Sequence, residues 1–305
     1  MTKDFKNQFS WSTTRDSVFR QCLRQYYFNY YGFWGGWHGD VSGRTRQIYV
    51  LKQLQTRQMW AGEKVHHCIE RSLTNLHRGV ALLNAEEAVD ITLRTMRSDF
   101  RFSRSKEYWQ MPKGCGLLEH EYDIPVPDSE WKAIADHVRD CLKAFYHSGL
   151  WEKLKAVPGK EWLEVEEFSH FLLNEVTIFV KLDCCYREKD KVVVLDWKTG
   201  KSRKRDAHLL QLVCYTLYAC ERWGKKPNQV VAQECRLPSM EVIHHPVGGG
   251  DIDDAKAYIR GSITDMKSLL KNKEENEPLE EAAFDITEDD RPCRSCNFRK
   301  VCPKW

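Results

Sequence analysis

The 305-residue chain has no apolar run approaching the ~18–20 residues that a membrane-spanning helix needs, and its first nine residues lack the hydrophobic core of a secretory signal. A soluble, cytoplasmic protein with no membrane partner is expected. Proline is scarce, with 10 residues, and no repeat or low-complexity tract is visible, so the chain is neither collagen-like nor disordered. An excess of one charge is also missing. The 47 Lys and Arg against 44 Asp and Glu leave +3, so a nucleic-acid partner can be argued only from where the charges sit.

Cysteine, by contrast, is abundant. Twelve cysteines in a chain with no export signal should be mostly reduced. Cys68, Cys141, Cys184, Cys185, Cys214, Cys220 and Cys235 lie in apolar or helical surroundings and read as core residues. With 42% hydrophobic residues, the chain can bury a sizeable core as one large domain or two small ones.

Residues 1–44 read as a helix capped near Ser12, Thr13 or Thr14, with Phe19, Cys22, Leu23, Tyr26 and Tyr30 on one inward stripe as far as Gly32. A glycine-rich aromatic loop follows. Residues 45–160 read as helical, with Val65, Ile69, Leu73 and Leu76 on one helix, Val89, Leu93, Met96 and Phe100 on the next, and Trp131 to Phe145 on a third. Asn84 and Glu87 have the spacing of a capping box. Residues 161–272 change to a period of two. Val176, Ile178, Val180 and Leu182 alternate with polar or exposed positions, and a charged turn leads into Val192, Val193 and Val194, which together predict a hairpin. A helix over about 207–223, strands near 230–235 and 242, and a helix bearing Tyr258, Ile263, Met266 and Leu270 complete an α/β core.

Residues 273–305 divide by charge. Nine acidic residues and no basic one over 274–290 suggest a solvated linker, and 291–305 holds five basic residues, no acidic one and three cysteines. This last stretch reads as a small module, the four segments forming one structural unit.

The chemistry concentrates on the hairpin. Asp183 ends one strand, and Asp196 and Lys198 end its partner two residues apart, so they share a face while Trp197 points away. Charged groups after the run Val192 to Leu195 are costly unless paired or bound to metal, although a solvated salt bridge is the plain alternative. His66 lies on the inward stripe of its helix, where a satisfied core histidine is the commoner case. Gln211 and Tyr215, four apart on the next helix, could be a packing pair.

Together these residues resemble the PD-(D/E)XK nuclease superfamily in its RecB-like branch. Gly62 and His66 match a Gly-x-x-x-His helix, Asp183 the strand-ending aspartate, Asp196-Trp197-Lys198-Thr199-Gly200 the Asp-x-Lys strand, and Gln211 with Tyr215 the Gln-x-x-x-Tyr helix. Val180 departs from the glycine often found three residues before the first aspartate. The resemblance implies a restriction-endonuclease-like central mixed sheet flanked by helices, with an N-terminal helical region and a C-terminal cysteine module. It also implies Mg²⁺ or Mn²⁺ held by His66, Asp183, Asp196 and the Trp197 carbonyl. Carboxylates suit these hard cations, which neutralise charge on a phosphodiester under attack. Lys198 would orient or help deprotonate the attacking water, and Gln211 and Tyr215 would position Lys198 or a substrate phosphate.

Cys293, Cys296 and Cys302 give three thiols within ten residues, and tetrahedral metal sites want four; Cys22 is the candidate fourth. A zinc site from the same ligands stays open on spacing alone. One early cysteine with a terminal C-x2-C-x5-C resembles the iron–sulfur members of the branch, the CRISPR-associated adaptation exonucleases and the AddB nuclease domain, which implies a 4Fe-4S cluster. The function so implied is a DNA exonuclease acting on single-stranded or unwound ends, with protein partners in repair, CRISPR adaptation or phage defence. The alternative is a non-cleaving DNA- or partner-binding subunit. Lys201, Arg203, Lys204 and Arg205 would touch backbone phosphates, as would Arg291, Arg294, Arg299, Lys300 and Lys304 around the cysteines. Tyr26, Tyr27, Tyr30, Tyr31, Trp34 and Trp37 are either base-stacking or core residues.

Overall fold

The computed structural model describes residues 6–38, 41–200 and 205–305, the side chains of 205–208 excepted. Ser12 caps helix α1 (Thr13–Gln21) by accepting from the Arg15 amide. The continuous first helix expected from the sequence breaks at Cys22, whose backbone is extended (φ −165°, ψ 119°), then resumes as α2 (Leu23–Tyr27) and a π turn ending at Gly32. A distant partner accompanies the break: the Arg24 amide donates to Asp285 O at 3.0 Å, outside the helix.

The stretch expected to be helical contains α3 (Gly43–Lys52), α4 (Arg57–His77), α5 (Ala85–Arg104), the short α6 (Leu118–Glu121), α7 (Asp128–Tyr146) and α8 (Gly149–Lys155). Asn84 and Glu87 form the capping box at α5, each side chain bonding the other's amide at 3.0 and 2.9 Å, which contributes about 1 kcal/mol.

The sheet is mixed. Its strands are β1 (Ser10–Trp11), β2 (Trp162–Leu173), β3 (Val176–Glu188), β4 (Lys191–Lys198), β5 (Val230–Arg236) and β6 (Glu241–His244), ordered β1-β3-β4-β5-β6 with β2 also paired to β3. β1 runs parallel to β3 and β4 parallel to β5, and the remaining pairs are antiparallel. The sequence pattern did not disclose β1 or β2. After β5 and β6 the chain forms α10 (Gly249–Lys267), and Leu270, expected on that helix, instead starts β7 (Leu270–Asn272), which pairs with β8 (Glu277–Pro278).

Alternation along β4 feeds two cores. Val192 and Val194 face one that includes Leu212, Cys214 and Ile259 of α9 (Arg205–Trp223) and α10, while Leu195 and Trp197 face another made with Ile69, Val89 and Leu142 of α4, α5 and α7. A strand covered on both sides is the expected home of an unbroken Val-Val-Val-Leu run.

The acidic stretch differs from the solvated linker expected. Its acids turn outward, but Phe284 is fully buried, Asn276 is buried, and the Arg24 guanidinium donates to Phe284 O at 3.0 Å. Glu281 pairs with Arg24 and Arg44 at 3.2 and 2.9 Å. The segment is therefore a strap packed on the N-terminal helices. It leads into α11 (Asp290–Cys293).

Candidate metal centre and cysteine cluster

The pairing of β3 with β4 is recorded as far as Cys184 and Leu195. One residue further, the Asp183 carboxylate takes over, its Oδ2 accepting from the Trp197 amide at 2.7 Å. Side-chain phase changes at the same place: Val180 and Leu182 face the first core, Cys184 and Tyr186 the second. On the neighbouring β2, Glu166 falls between the pairs Val165–Cys184 and Glu167–Leu182, at the level of Asp183, and has a left-handed backbone (φ +53°). Irregularities of this kind re-aim side chains near sites. Here two carboxylates converge.

They converge on α4. A Cβ at Gly62 would lie 2.9 Å from Thr199 Oγ1, so glycine there lets the helix come close to the end of β4. One turn later, His66 Nδ1 is 3.4 Å from Glu166 Oε1 and 3.5 Å from Asp183 Oδ2. Ligand atoms of His66, Glu166 and Asp183 all lie within 4.8 Å of one another, with both carboxylates buried. Burial would lower the His66 pKa, but Asp183 first and Glu166 second outweigh it and push it up to about 10.

Asp196 lies beside this triad and is almost fully buried. Burial and the Asp183 charge raise its pKa to about 6, against the opposing pull of Lys198. Lys198 Nζ is 2.5 Å from Asp196 Oδ2 and donates to Gln211 Oε1 at 3.0 Å. Gln211 Nε2 donates to the Tyr215 hydroxyl at 2.7 Å, and that hydroxyl lies 2.8 Å from Lys181 O and 3.3 Å from Asp196 Oδ1. A single relay thus fixes Lys198, Gln211, Tyr215 and Asp196 relative to one another. Trp197 points to the opposite face and meets Phe145 with ring centroids 5.5 Å apart. The contact it makes with this cluster is through its amide.

Glu166 is the site residue that sequence reasoning missed. The signal was present as acids alternating with apolar residues in Leu163-Glu164-Val165-Glu166, but it needed β2 to be recognised first. Lys181 pairs with the far oxygen of Glu166 at 2.5 Å, so three cationic side chains border three carboxylates. Glu166 Oε1 and Asp196 Oδ2 are buried and make no aligned hydrogen bond, although His66 and Lys198 nitrogens stand near them. Buried carboxylate oxygens with coordination to spare, beside an imidazole, are a donor set that fits a divalent cation.

The four cysteines meet at the other end of the N-terminal segment. Cys22, at the break after α1, lines one cavity with Cys293, Cys296 and Cys302, together with Phe28 and Phe298. All four are free thiols. Burial foremost, with the neighbouring thiols adding to it, raises the pKa of Cys293, and of Cys296 to about 11. Among the described residues, no three of these sulfurs lie within 4.8 Å of one another, whereas a tetrahedral zinc with bonds near 2.3 Å holds its sulfurs about 3.8 Å apart. Four cysteine sulfurs around one cavity are a soft donor set suited to a metal centre.

Lys201, Arg203 and Lys204 lie outside the described residues, as does the side chain of Arg205. The basic tail is largely engaged within the molecule: Arg291 pairs with Asp289 at 2.7 Å, Lys304 with Asp290 at 2.6 Å and Lys300 with Glu121, while Arg299 donates to Cys293 O at 3.0 Å. These contacts help hold the module down, and Arg291, Arg294 and Lys300 remain on the surface. Of the aromatic residues, Tyr26 and Tyr31 are core, and Tyr30 and Trp34 line a groove.

The family model of the PD-(D/E)XK nuclease superfamily matches residues 10–303, and the chain belongs to that superfamily. The mixed sheet flanked by helices is consistent with its restriction-endonuclease-like fold. No curated protein matches the chain. A solved structure entitled "Crystal structure of SSO0001" is similar over 58% of this chain and 78% of that one, at 18% identity, with a TM-score of 0.30, too low to bear on the fold.

Proposed function

We propose that this nuclease-superfamily member is a metal-dependent DNA exonuclease acting on single-stranded or unwound ends, with an iron–sulfur cluster fastening its two chain termini. The observation that carries it is the convergence of His66, Glu166 and Asp183 beside Lys198. His66, Glu166 and Asp183 would hold Mg²⁺ or Mn²⁺, with Asp196 and the Trp197 carbonyl as further oxygen donors. When bound, such a cation neutralises charge on the phosphate and lowers the pKa of water.

The chain's own residues supply the rest. Asp196 fixes the Lys198 ammonium, and Gln211 orients it from the other side, so Lys198 can donate to the attacked phosphate or steer the attacking water. Tyr215 bonds Gln211 and buttresses Asp196, keeping the relay in register. An inert binding subunit has no use for a lysine and an aspartate held together near the end of a central strand, which favours the cleaving enzyme.

Cys22, Cys293, Cys296 and Cys302 would carry a 4Fe-4S cluster, supported by the cavity they share. Among the described residues no helix is long and apolar enough to cross a membrane, and a cytoplasmic setting belongs to the same proposal. Protein partners in repair, CRISPR adaptation or phage defence belong to the same proposal. The experiment is incubation of anaerobically purified protein with end-labelled DNA and Mn²⁺. Release of labelled fragments that stops on chelation supports the proposal, and intact DNA contradicts it.

A further inference from the structure

A groove of about 710 Å³ is lined by the N-terminal segment, by β2 and β3, and by Lys181, Gln211 and Tyr215. Those three residues contact Glu166, Lys198 and Asp196, so the groove opens onto the candidate metal centre.

Its floor holds two cations with no acidic partner among the described residues. Arg15 is buried, and its guanidinium bonds only hydroxyls: Tyr26 at 2.9 and 3.2 Å, Tyr31 at 3.1 Å and Ser10 at 3.4 Å. The adjacent Asp16 turns away to Ser262, Tyr258 and Arg20. Lys52 lies 3.3 Å above the Phe33 ring. Burial, and then the nearby Arg15 charge, lower its pKa to about 8, as befits a cation with no anion beside it. Two like charges brought together in a partly dry groove oppose folding and favour an incoming anion.

The wall carries an exposed aromatic pair. Phe168 of β2 is 69% exposed and stacks on Phe179 of β3 with ring centroids 4.6 Å apart at 25°. Trp34 lines the same groove. Flat rings beside cations that face aromatic rings and hydroxyls but no carboxylate supply the two elements that single-stranded nucleic acid requires, a stacking platform and a phosphate contact.

We propose that this groove is the track of an unpaired DNA strand, with Arg15 and Lys52 meeting a backbone phosphate and Phe168, Phe179 and Trp34 stacking bases as the strand passes to Gln211 and Tyr215. It deepens the nuclease assignment and rests on it for the destination of the strand. A duplex cannot use the platform, because its base faces are already stacked.

The test uses the full chain, purified anaerobically, with a fluorescein-labelled 15-nucleotide oligo-dT and a blunt hairpin duplex, read by anisotropy without divalent ions. Phe168→Ala should weaken oligo-dT binding about tenfold while changing duplex binding less than twofold. Lys52→Gln should reduce the slope of log K against log salt by about 0.7, the loss of one phosphate contact. Phe168 is exposed, so its variant keeps the fold. Unchanged oligo-dT binding in both variants, or equal losses for strand and duplex, overturns the proposal, and so does a parent protein that binds no oligo-dT. A parent that binds through the groove but leaves the strand intact with Mn²⁺ supports the track and contradicts the nuclease assignment. A parent that cuts while both variants bind as it does overturns the track alone.

Discussion

Glu166 and Asp183, from adjacent strands, present carboxylate oxygens to the same nitrogen, His66 Nδ1, at 3.4 and 3.5 Å. Three segments, the farthest of them 117 positions apart in sequence (183 − 66), thereby build one donor set. Glu166 should therefore be as necessary as the aspartates of the motif. Glu166→Gln, which keeps size and hydrogen bonding but removes charge, is expected to lower Mn²⁺-dependent cleavage by about 10²-fold or more with the circular dichroism spectrum unchanged. Calorimetric titration with Mn²⁺ should show the same variant losing affinity.

Lys198→Ala is expected to abolish cleavage, on the order of 10²–10⁴-fold, while leaving oligonucleotide binding near the parent level. Tyr215→Phe should act more mildly, because it removes a bond to the relay and leaves Lys198 paired with Asp196. A kinetic comparison of the two at saturating DNA checks this order, and equal losses would remove the relay from the account.

Replacing Cys296 with serine should bleach absorbance near about 400 nm and lower iron content, with the thermal midpoint falling as the terminal tie is lost. Metal analysis of the unmodified protein decides the centre. Zinc in place of iron and sulfide would contradict the cluster.

Phe284 anchors the acidic strap on the N-terminal helices and is fully buried. Phe284→Ala should cost about 3–5 kcal/mol, measured by urea unfolding, whereas neutralising the outward Glu288 should change stability by about 0.5 kcal/mol or less.

Lys52 gives a pH signature. Its pKa falls from the ordinary 10.5 to about 8 on folding, so the folded protein binds fewer protons than the unfolded chain between those values, and this cation opposes folding most strongly below about pH 8. Lys52→Met should raise the thermal midpoint at pH 7, by a free energy on the order of 2 kcal/mol, and the gain should shrink as pH rises from 8 towards 10.5. A gain independent of pH would assign the effect to packing.

Legibility in the sequence followed the range of the interaction. β4 was readable because four apolar residues precede Asp196, and Trp197 faces away from Asp196 and Lys198 as period two requires. Helical spacing put His66 on an inward stripe and paired Tyr215 with Gln211, but only the family resemblance assigned them to a site. Glu166 was not, since its aim depends on a left-handed backbone opposite Asp183 that alternation cannot announce. Nor was the break at Cys22, where Arg24 bonds a residue some 260 positions away. The strap looked solvated because charge dominates its composition, while its anchors, Phe284, Asn276 and the Glu281 pairs with Arg24 and Arg44, depend on distant partners. Phe168 gave no signal because its value lies in stacking on Phe179 beside a groove.

The most direct test of the central claim is nucleotide release from end-labelled single-stranded DNA with Mn²⁺, run in parallel on the unmodified protein, Asp183→Asn and Glu166→Gln. The account predicts cleavage by the unmodified protein, its loss on chelation, and its loss in both variants although their folds persist. Cleavage by either variant at the unmodified rate would contradict a metal centre built from His66, Glu166 and Asp183.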